Sequence, residues 1–143
     1  MVTWKTNIDT AHTVLIVSDQ PDHVATWTAL LSQRNCIVLA EFKADDAIQS
    51  ARLIEPTLVL VDIDVSKEQR ASLLKGIRSV CRAPILMLIS ADTVDEILEA
   101  NRSGADECFV KPVNPAVLVA KSMAWLNHGH HSDALPQPVS VTL

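Results

Sequence analysis

Four polar residues stand where short apolar runs stop: Asp19 follows Val14-Leu15-Ile16-Val17-Ser18, Asp62 follows Leu58-Val59-Leu60-Val61, Ser90 follows Ile85-Leu86-Met87-Leu88-Ile89, and Lys111 follows Cys108-Phe109-Val110. Asp64 lies two residues beyond Asp62. A carboxylate can attack or ligate, a hydroxyl can donate a hydrogen bond, and an ammonium can neutralise negative charge. Brought together, they would put two carboxylates, a hydroxyl and an ammonium in one crevice. Taken singly, none of the four is diagnostic. An isolated Asp is most often a cap or turn residue, a strand-end Ser commonly bonds backbone, and most lysines are solvated.

The elements that must bring them together are legible as alternation. From residue 13 to about 126, short apolar runs alternate with amphipathic stretches, the pattern of repeated βα units around a parallel sheet. Strands are expected over residues 13–18, 36–41, 58–62, 85–89 and 107–110. Most are continuously apolar, as strands covered on both faces are. Pro21 suits the first turn of a first helix whose Val24, Trp27, Leu30 and Leu31 share one face. A second helix should run over residues 44–54 and stop before Pro56, and a third over residues 67–82 with Leu74, Ile77 and Cys81 as its apolar stripe. Thr93 and Glu96 read as a capping box and Gly104 as a stop for the fourth. Asn114 and Pro115 open a fifth helix that ends near Leu126. In an open parallel sheet, ligands bind beyond the carboxyl ends of the strands, where the strand order reverses, so the four residues should share one crevice.

Composition narrows the function classes. With 143 residues the chain fits one compact domain. Its three Trp and two Phe leave the core to Leu, Ile, Val and Ala. A net charge of -5 without clustered Lys and Arg argues against direct nucleic-acid binding. Cys36, Cys81 and Cys108 are odd in number and widely spaced, which implies neither a disulfide framework nor a zinc site; buried, reduced thiols are expected. The N-terminus lacks the apolar segment of a secretory signal and no stretch is long enough to span a bilayer, so no membrane association and a cytoplasmic location are expected. Residues 1–12 read as an irregular leader and residues 127–143, with His128, His130, His131, Pro136 and Pro138, as a linker or flexible tail. The histidines there have no partner carboxylates or cysteines at useful spacing, which disfavours a metal site.

Val17-Ser18-Asp19, Leu60-Val61-Asp62, Ser90-Ala91, Gly104-Ala105-Asp106 and Lys111-Pro112 occur in an order and spacing that resemble the response-regulator receiver family of two-component signalling. The resemblance covers about residues 13–126. It implies a flavodoxin-like, three-layer α/β/α fold, doubly wound around a five-stranded parallel sheet of order 2-1-3-4-5. It also implies that Asp62 is the phosphoacceptor, taking a phosphoryl group from a phosphohistidine on a sensor histidine kinase. By the same resemblance, Asp19, Asp62 and the backbone carbonyl of Asp64 ligate Mg²⁺, a cation that accepts few carboxylates and keeps waters. Lys111 pairs with the phosphoryl group, Ser90 donates to one of its oxygens, and the Lys111-Pro112 bond is cis. The output is a changed interaction surface rather than a product, so the chain is not expected to be an enzyme. The partners implied are the kinase, an output domain or effector protein, and a second copy docked through helix 4, strand 5 and helix 5, where Asp95, Glu99, Arg102, Asp106, Glu107 and Lys121 lie. The Lys111 to Pro115 segment and the Val139 to Leu143 ending are similar to receivers that continue into a winged-helix domain.

Several positions depart from the family pattern. Receivers usually carry two adjacent acids after strand 1, and the first is Ser18 here; Mg²⁺ binding is therefore expected to be weaker than usual, which a metal titration followed by Trp or NMR signals would test. Strict counting back from Lys111 puts Ile89 at the hydroxyl position, and Ser90 is preferred because an Ile side chain cannot donate. Cys108 occupies the aromatic switch position, with Phe109 one place later. Ser66 and Arg70 replace a common Pro and Gly beyond Asp62, so that loop should be reshaped. These departures keep a second reading open, a pseudo-receiver that works as an interaction module without phosphorylation. A third, a small flavodoxin-like enzyme or nucleotide binder, is disfavoured because no Gly-rich turn follows strand 1.

Overall fold

A computed structural model describes residues 11–90 and 93–128 and the backbone of residues 140–142. The expected leader up to residue 10, Ala91 of the Ser90-Ala91 motif, and His130 and His131 lie outside the described residues. Continuous apolar runs form β1 (His12–Ser18), β2 (Cys36–Glu41), β3 (Leu58–Asp62), β4 (Ile85–Ile89) and β5 (Glu107–Val110). Between them come α1 (Pro21–Ser32), α2 (Ala44–Ile54), α3 (Lys67–Val80) and α4 (Val94–Ser103), and α5 (Pro115–His128) follows β5. The strands are parallel in the order β2-β1-β3-β4-β5, the flavodoxin-like arrangement expected.

A short β6 (Ser140–Thr142) pairs in parallel with the outer edge of β5, Cys108 opposite Val141. The sheet therefore has six strands, and ordered structure extends past residue 126, both in the last residues of α5 and in this strand. A stretch read as linker or tail thus contains a sheet strand. The physical reason is local: β-branched Val141 and Thr142 suit a strand, and an uncovered β5 edge would leave its backbone groups unpaired.

The sheet's two faces make two cores. Leu15, Val17, Val59, Val61, Ile85, Met87, Ile89 and Cys108 point toward α2, α3 and α4. Val14, Ile16, Leu58, Leu60, Leu86, Leu88 and Phe109 point toward α1 and α5. The period-2 alternation of strand side chains sorts neighbours onto opposite faces, and the central strands are buried on both. Where α2 meets α3, Gly76 leaves room for Ile48, since a Cβ there would sit 2.5 Å from Ile48 Cδ1.

Helix ends follow the expected chemistry with one extension and one shortening. The Thr93 hydroxyl accepts from the Glu96 N–H at 3.3 Å, and Gly104, at φ 135°, closes α4 in a conformation that favours glycine. Asn114 Oδ1 accepts from the Ala116 and Val117 N–H groups at the start of α5. Ser66 is the N-cap of α3, exchanging bonds of 3.1 Å with Gln69 in a full capping box. The family's proline is thus replaced by a helix start signal. At its other end α3 stops at Val80, two residues before the expected boundary, because Cys81 is already extended (φ -149°, ψ 136°) ahead of Pro84. Cys36, Cys81 and Cys108 are buried and free of disulfides.

Candidate functional site

Parallel pairing places the end of β1 directly beside the end of β3, with Ser18 opposite Asp62. Asp62 is fully buried, the last strand residue before the chain turns outward. A buried carboxylate without partners is costly, so its contacts matter. The Lys111 ammonium, itself 22% exposed, pairs with Asp62 Oδ1, which has no other donor among the described residues. On Oδ2, the His23 Nδ1 stands at 2.8 Å and the Ser18 hydroxyl at 3.4 Å. Ser18 has a second role: its oxygen accepts from the Gln20 N–H at 3.0 Å, tightening the turn into α1. The position where receivers carry an acid is thus a turn-forming hydroxyl that also reaches the central carboxylate.

The structure brings together some of the expected residues more closely than others. Asp19 is exposed at the mouth, its Oδ1 accepting from Gln20 Nε2 at 3.3 Å. Asp64 is exposed two residues beyond β3. Ser90 is exposed immediately after β4, while Ile89 is buried in the core beneath α3 and α4. Of the two residues weighed for the hydroxyl position, Ser90 has the exposed side chain. The Lys111-Pro112 bond is cis. Among the described residues no cluster of three His, Cys, Asp or Glu side chains forms a ready metal cage. Exposed Asp19 and buried Asp62 instead offer a sparse set of hard oxygens, which fits a divalent cation that keeps most of its water.

His23 was not foreseen among the site residues. It sits in the first turn of α1, where Pro21 sets the helix start, and its side chain is 47% exposed. Its ring leans on Trp27, centroids 5.3 Å apart and planes tilted by 42°. An open cavity of about 430 Å³ lies beside it, lined also by Trp27, Leu88, Lys111, Pro112 and Val113. The signal for His23 was available in principle: it is a polar ring in the first turn of the helix that follows β1, and the end of β1 lies beside the end of β3.

A second polar cluster lies behind the mouth, between α3, α4 and β5. Arg70 Nη2 meets Glu99 Oε2 at 3.0 Å, with side chains only 13% and 18% exposed. Glu99 also accepts from Ser103, at 3.3 Å. Cys108, at the switch position, is fully buried; its Sγ lies 3.6 Å from Asn101 Oδ1 and 4.0 Å from the Ile97 carbonyl. Burial pushes its thiol from 9.0 up to about 12, with Arg70 pulling it down and Glu107 and Glu99 adding to the rise. Phe109 points to the opposite face, toward α1 and α5. The charges expected on the helix 4, strand 5, helix 5 surface are partly tied down: Asp106 accepts from Arg78 and from the Ile85 N–H, both at 2.7 Å, and Glu107 is bonded by Trp125 Nε1 at 2.8 Å and lies 3.4 Å from Lys121 Nζ.

A buried strand-end aspartate is thus paired with a lysine from a cis Lys-Pro turn, across a parallel sheet of order β2-β1-β3-β4-β5. A family model described as the response regulator receiver domain matches residues 14–122. The chain belongs to the response-regulator receiver family. This receiver is 30% identical over 122 residues to the DNA-binding response regulator MtrA of Mycolicibacterium smegmatis, a match covering 85% of this chain and 53% of that protein. It is 30% identical over 125 residues to the transcriptional regulatory protein CseB of Streptomyces coelicolor, covering 87% and 53%. The receiver thus spans about half the length of the curated relatives it matches. A two-component response regulator from Clostridium difficile superposes with a TM-score of 0.74 at 26% identity, over 81% of this chain and 96% of that one. The BeF3-activated N-terminal receiver domain of Klebsiella pneumoniae RstA gives 0.71 at 27% identity, over 80% and 97%. No helix among the described residues is long and apolar enough to cross a membrane.

Proposed function

We propose that this receiver accepts a phosphoryl group on Asp62 from the phosphohistidine of a sensor histidine kinase and relays the change through its surface. The observation that carries the reading is the fully buried Asp62 carboxylate with the Lys111 ammonium on one oxygen, at the mouth of the sheet. In the transfer a carboxylate oxygen attacks phosphorus, the P–N bond breaks as the P–O bond forms, and the histidine nitrogen keeps the electron pair. Lys111 neutralises the transferred group, and the exposed Ser90 hydroxyl is free to turn toward it and donate. Asp19, Asp62 and the Asp64 carbonyl would hold Mg²⁺, which when bound adds positive charge at the phosphoryl oxygens. With Ser18 in place of an acid, that cation is held more weakly than in receivers with the full acidic pair. The added phosphoryl charge then biases the α4 end of the fold.

The partners in this reading are the kinase on the input side and an output domain or effector on the other, in the cytoplasm, with the chain acting as a switch and not as an enzyme. The relatives' names speak of DNA-binding and transcriptional regulation, which makes a DNA-binding output domain the first kind of effector to look for. A homodimer through α4, β5 and α5 would have to accommodate β6 on the edge of β5. Incubation with Mg²⁺ and acetyl phosphate followed by intact mass measurement tests the reading: one phosphoryl group gained by the wild type and none by Asp62→Asn is expected. No gain in the wild type, or an undiminished gain in the variant, favours a pseudo-receiver. That second reading draws on Ser18 and on the Arg70–Glu99 pair, which loosen the metal site and tie α4 to α3.

A further inference from the structure

We infer that His23 is a latch on the phosphoacceptor: it holds Asp62 Oδ2 and must leave before a divalent cation binds that oxygen. The inference rests on Asp62 being the cation-binding carboxylate proposed above. A carboxylate oxygen only accepts, so at 2.8 Å the hydrogen of this bond is on His23 Nδ1. A nitrogen carrying that hydrogen has no lone pair to give a metal, which makes His23 a competitor and not a ligand in this arrangement.

The other groups on Asp62 are less able to yield. Ser18 is fully buried and fixed by the Gln20 N–H, and Lys111 serves the opposite oxygen. His23 is half-exposed on the first turn of α1, and the cavity of about 430 Å³ lies directly beside its ring. The imidazole can therefore swing about its χ angles without moving the backbone. The same residue also makes up for the missing acid in a limited sense. With no second carboxylate at position 18 to attract a cation, a protein-borne donor occupies the site and keeps Asp62 solvated from within. Cation entry then trades one hydrogen bond for a metal–oxygen bond, and His23 sets the threshold for that exchange.

The test is cation binding to the whole chain, read without any phosphoryl transfer. Mg²⁺ is titrated by calorimetry and Mn²⁺ by electron paramagnetic resonance, for the wild type, His23→Ala and His23→Leu; the Leu variant keeps bulk beside Trp27 while removing the donor. Both variants should bind either cation roughly ten- to hundredfold more tightly, the release expected from a single hydrogen bond to a charged group. Affinity that is unchanged or weaker in both variants, or no bound cation in any of the three proteins, overturns the latch. The readout separates this failure from that of the phosphoacceptor reading. Tighter cation binding in the variants with no phosphoryl gain in any protein would keep the latch and overturn phosphate acceptance.

Discussion

The mouth of the sheet and the wedge between α3, α4 and β5 handle charge in opposite ways. At the mouth a single buried carboxylate is shared by donors from three separate places: Lys111 after β5, His23 in α1 and Ser18 at the end of β1. Two of those donors are partly exposed and each can be withdrawn independently. In the wedge, Arg70 and Glu99 are paired one to one and mostly covered, and the switch position is a small neutral thiol rather than a ring. Phosphoryl chemistry needs the first arrangement, because a carboxylate whose partners can leave is available to attack. Aromatic relay needs something the second lacks, a large side chain with two resting places. On the proposed reading, the receiver's chemical end departs less from what the chemistry needs than its signalling end does.

The largest effect should come from unbalancing the mouth. Lys111→Met leaves Asp62 buried with its charge met only at Oδ2. It should lower unfolding free energy by roughly 3 kcal/mol, the low end for a broken buried pair because Ser18 and His23 remain. Adding Asp62→Asn removes the stranded charge and should recover most of the loss. Urea denaturation of the two variants checks both statements. A single-variant loss well under 1 kcal/mol would mean that Asp62 is as readily satisfied as a surface carboxylate, and the contrast with the wedge would disappear.

A smaller effect is expected when the wedge is opened. Arg70→Ala should cost about 1–2 kcal/mol, between the values for exposed and buried ion pairs, since both side chains retain some solvent access and Glu99 keeps the Ser103 hydroxyl. If the pair restrains α4, amide hydrogen exchange in α4 should speed up in this variant while exchange in α1 stays unchanged. Equal acceleration in both helices would show a general loss of stability in place of a local restraint.

How much of this could be read in advance follows from the range of the interactions. Strands such as residues 58–62 and 85–89 announce themselves because burial on both faces demands an unbroken apolar run, and that demand is local in sequence. The starts of α4 and α5 were legible for the same reason, as Thr93 and Asn114 bond backbone only two or three residues on. Asp62 and Lys111 were found through strand ends in register, before any contact between them was visible. His23 was missed because its meaning lies 39 residues away in the chain, across a helix start. Arg70 looked like a loop disturbance until Glu99, 29 residues on, was seen to receive it. β6 was hidden by its length: three residues after a proline-bearing stretch carry too little pattern to stand out from a tail.

The finest probe of the wedge is its thiol. In the folded protein Cys108 keeps its proton up to about 12, whereas unfolding returns it to an ordinary 9.0. Below pH 9 both states hold the proton and the group contributes nothing that varies with pH. Between about 9 and 12 the unfolded state ionises while the folded state does not, so the unfolded state binds fewer protons and stability must fall as pH rises. Urea midpoints of the wild type should therefore decline as pH is raised from 8 through this window, and Cys108→Ala, which removes the titration, should decline less steeply even though its cavity lowers the starting value. The slope separates the two contributions, because a cavity shifts the whole curve while a buried thiol tilts only its alkaline limb. Parallel alkaline limbs would mean that the Cys108 proton is as free as a solvent thiol's, and that the wedge admits water beside Asn101 and Ile97.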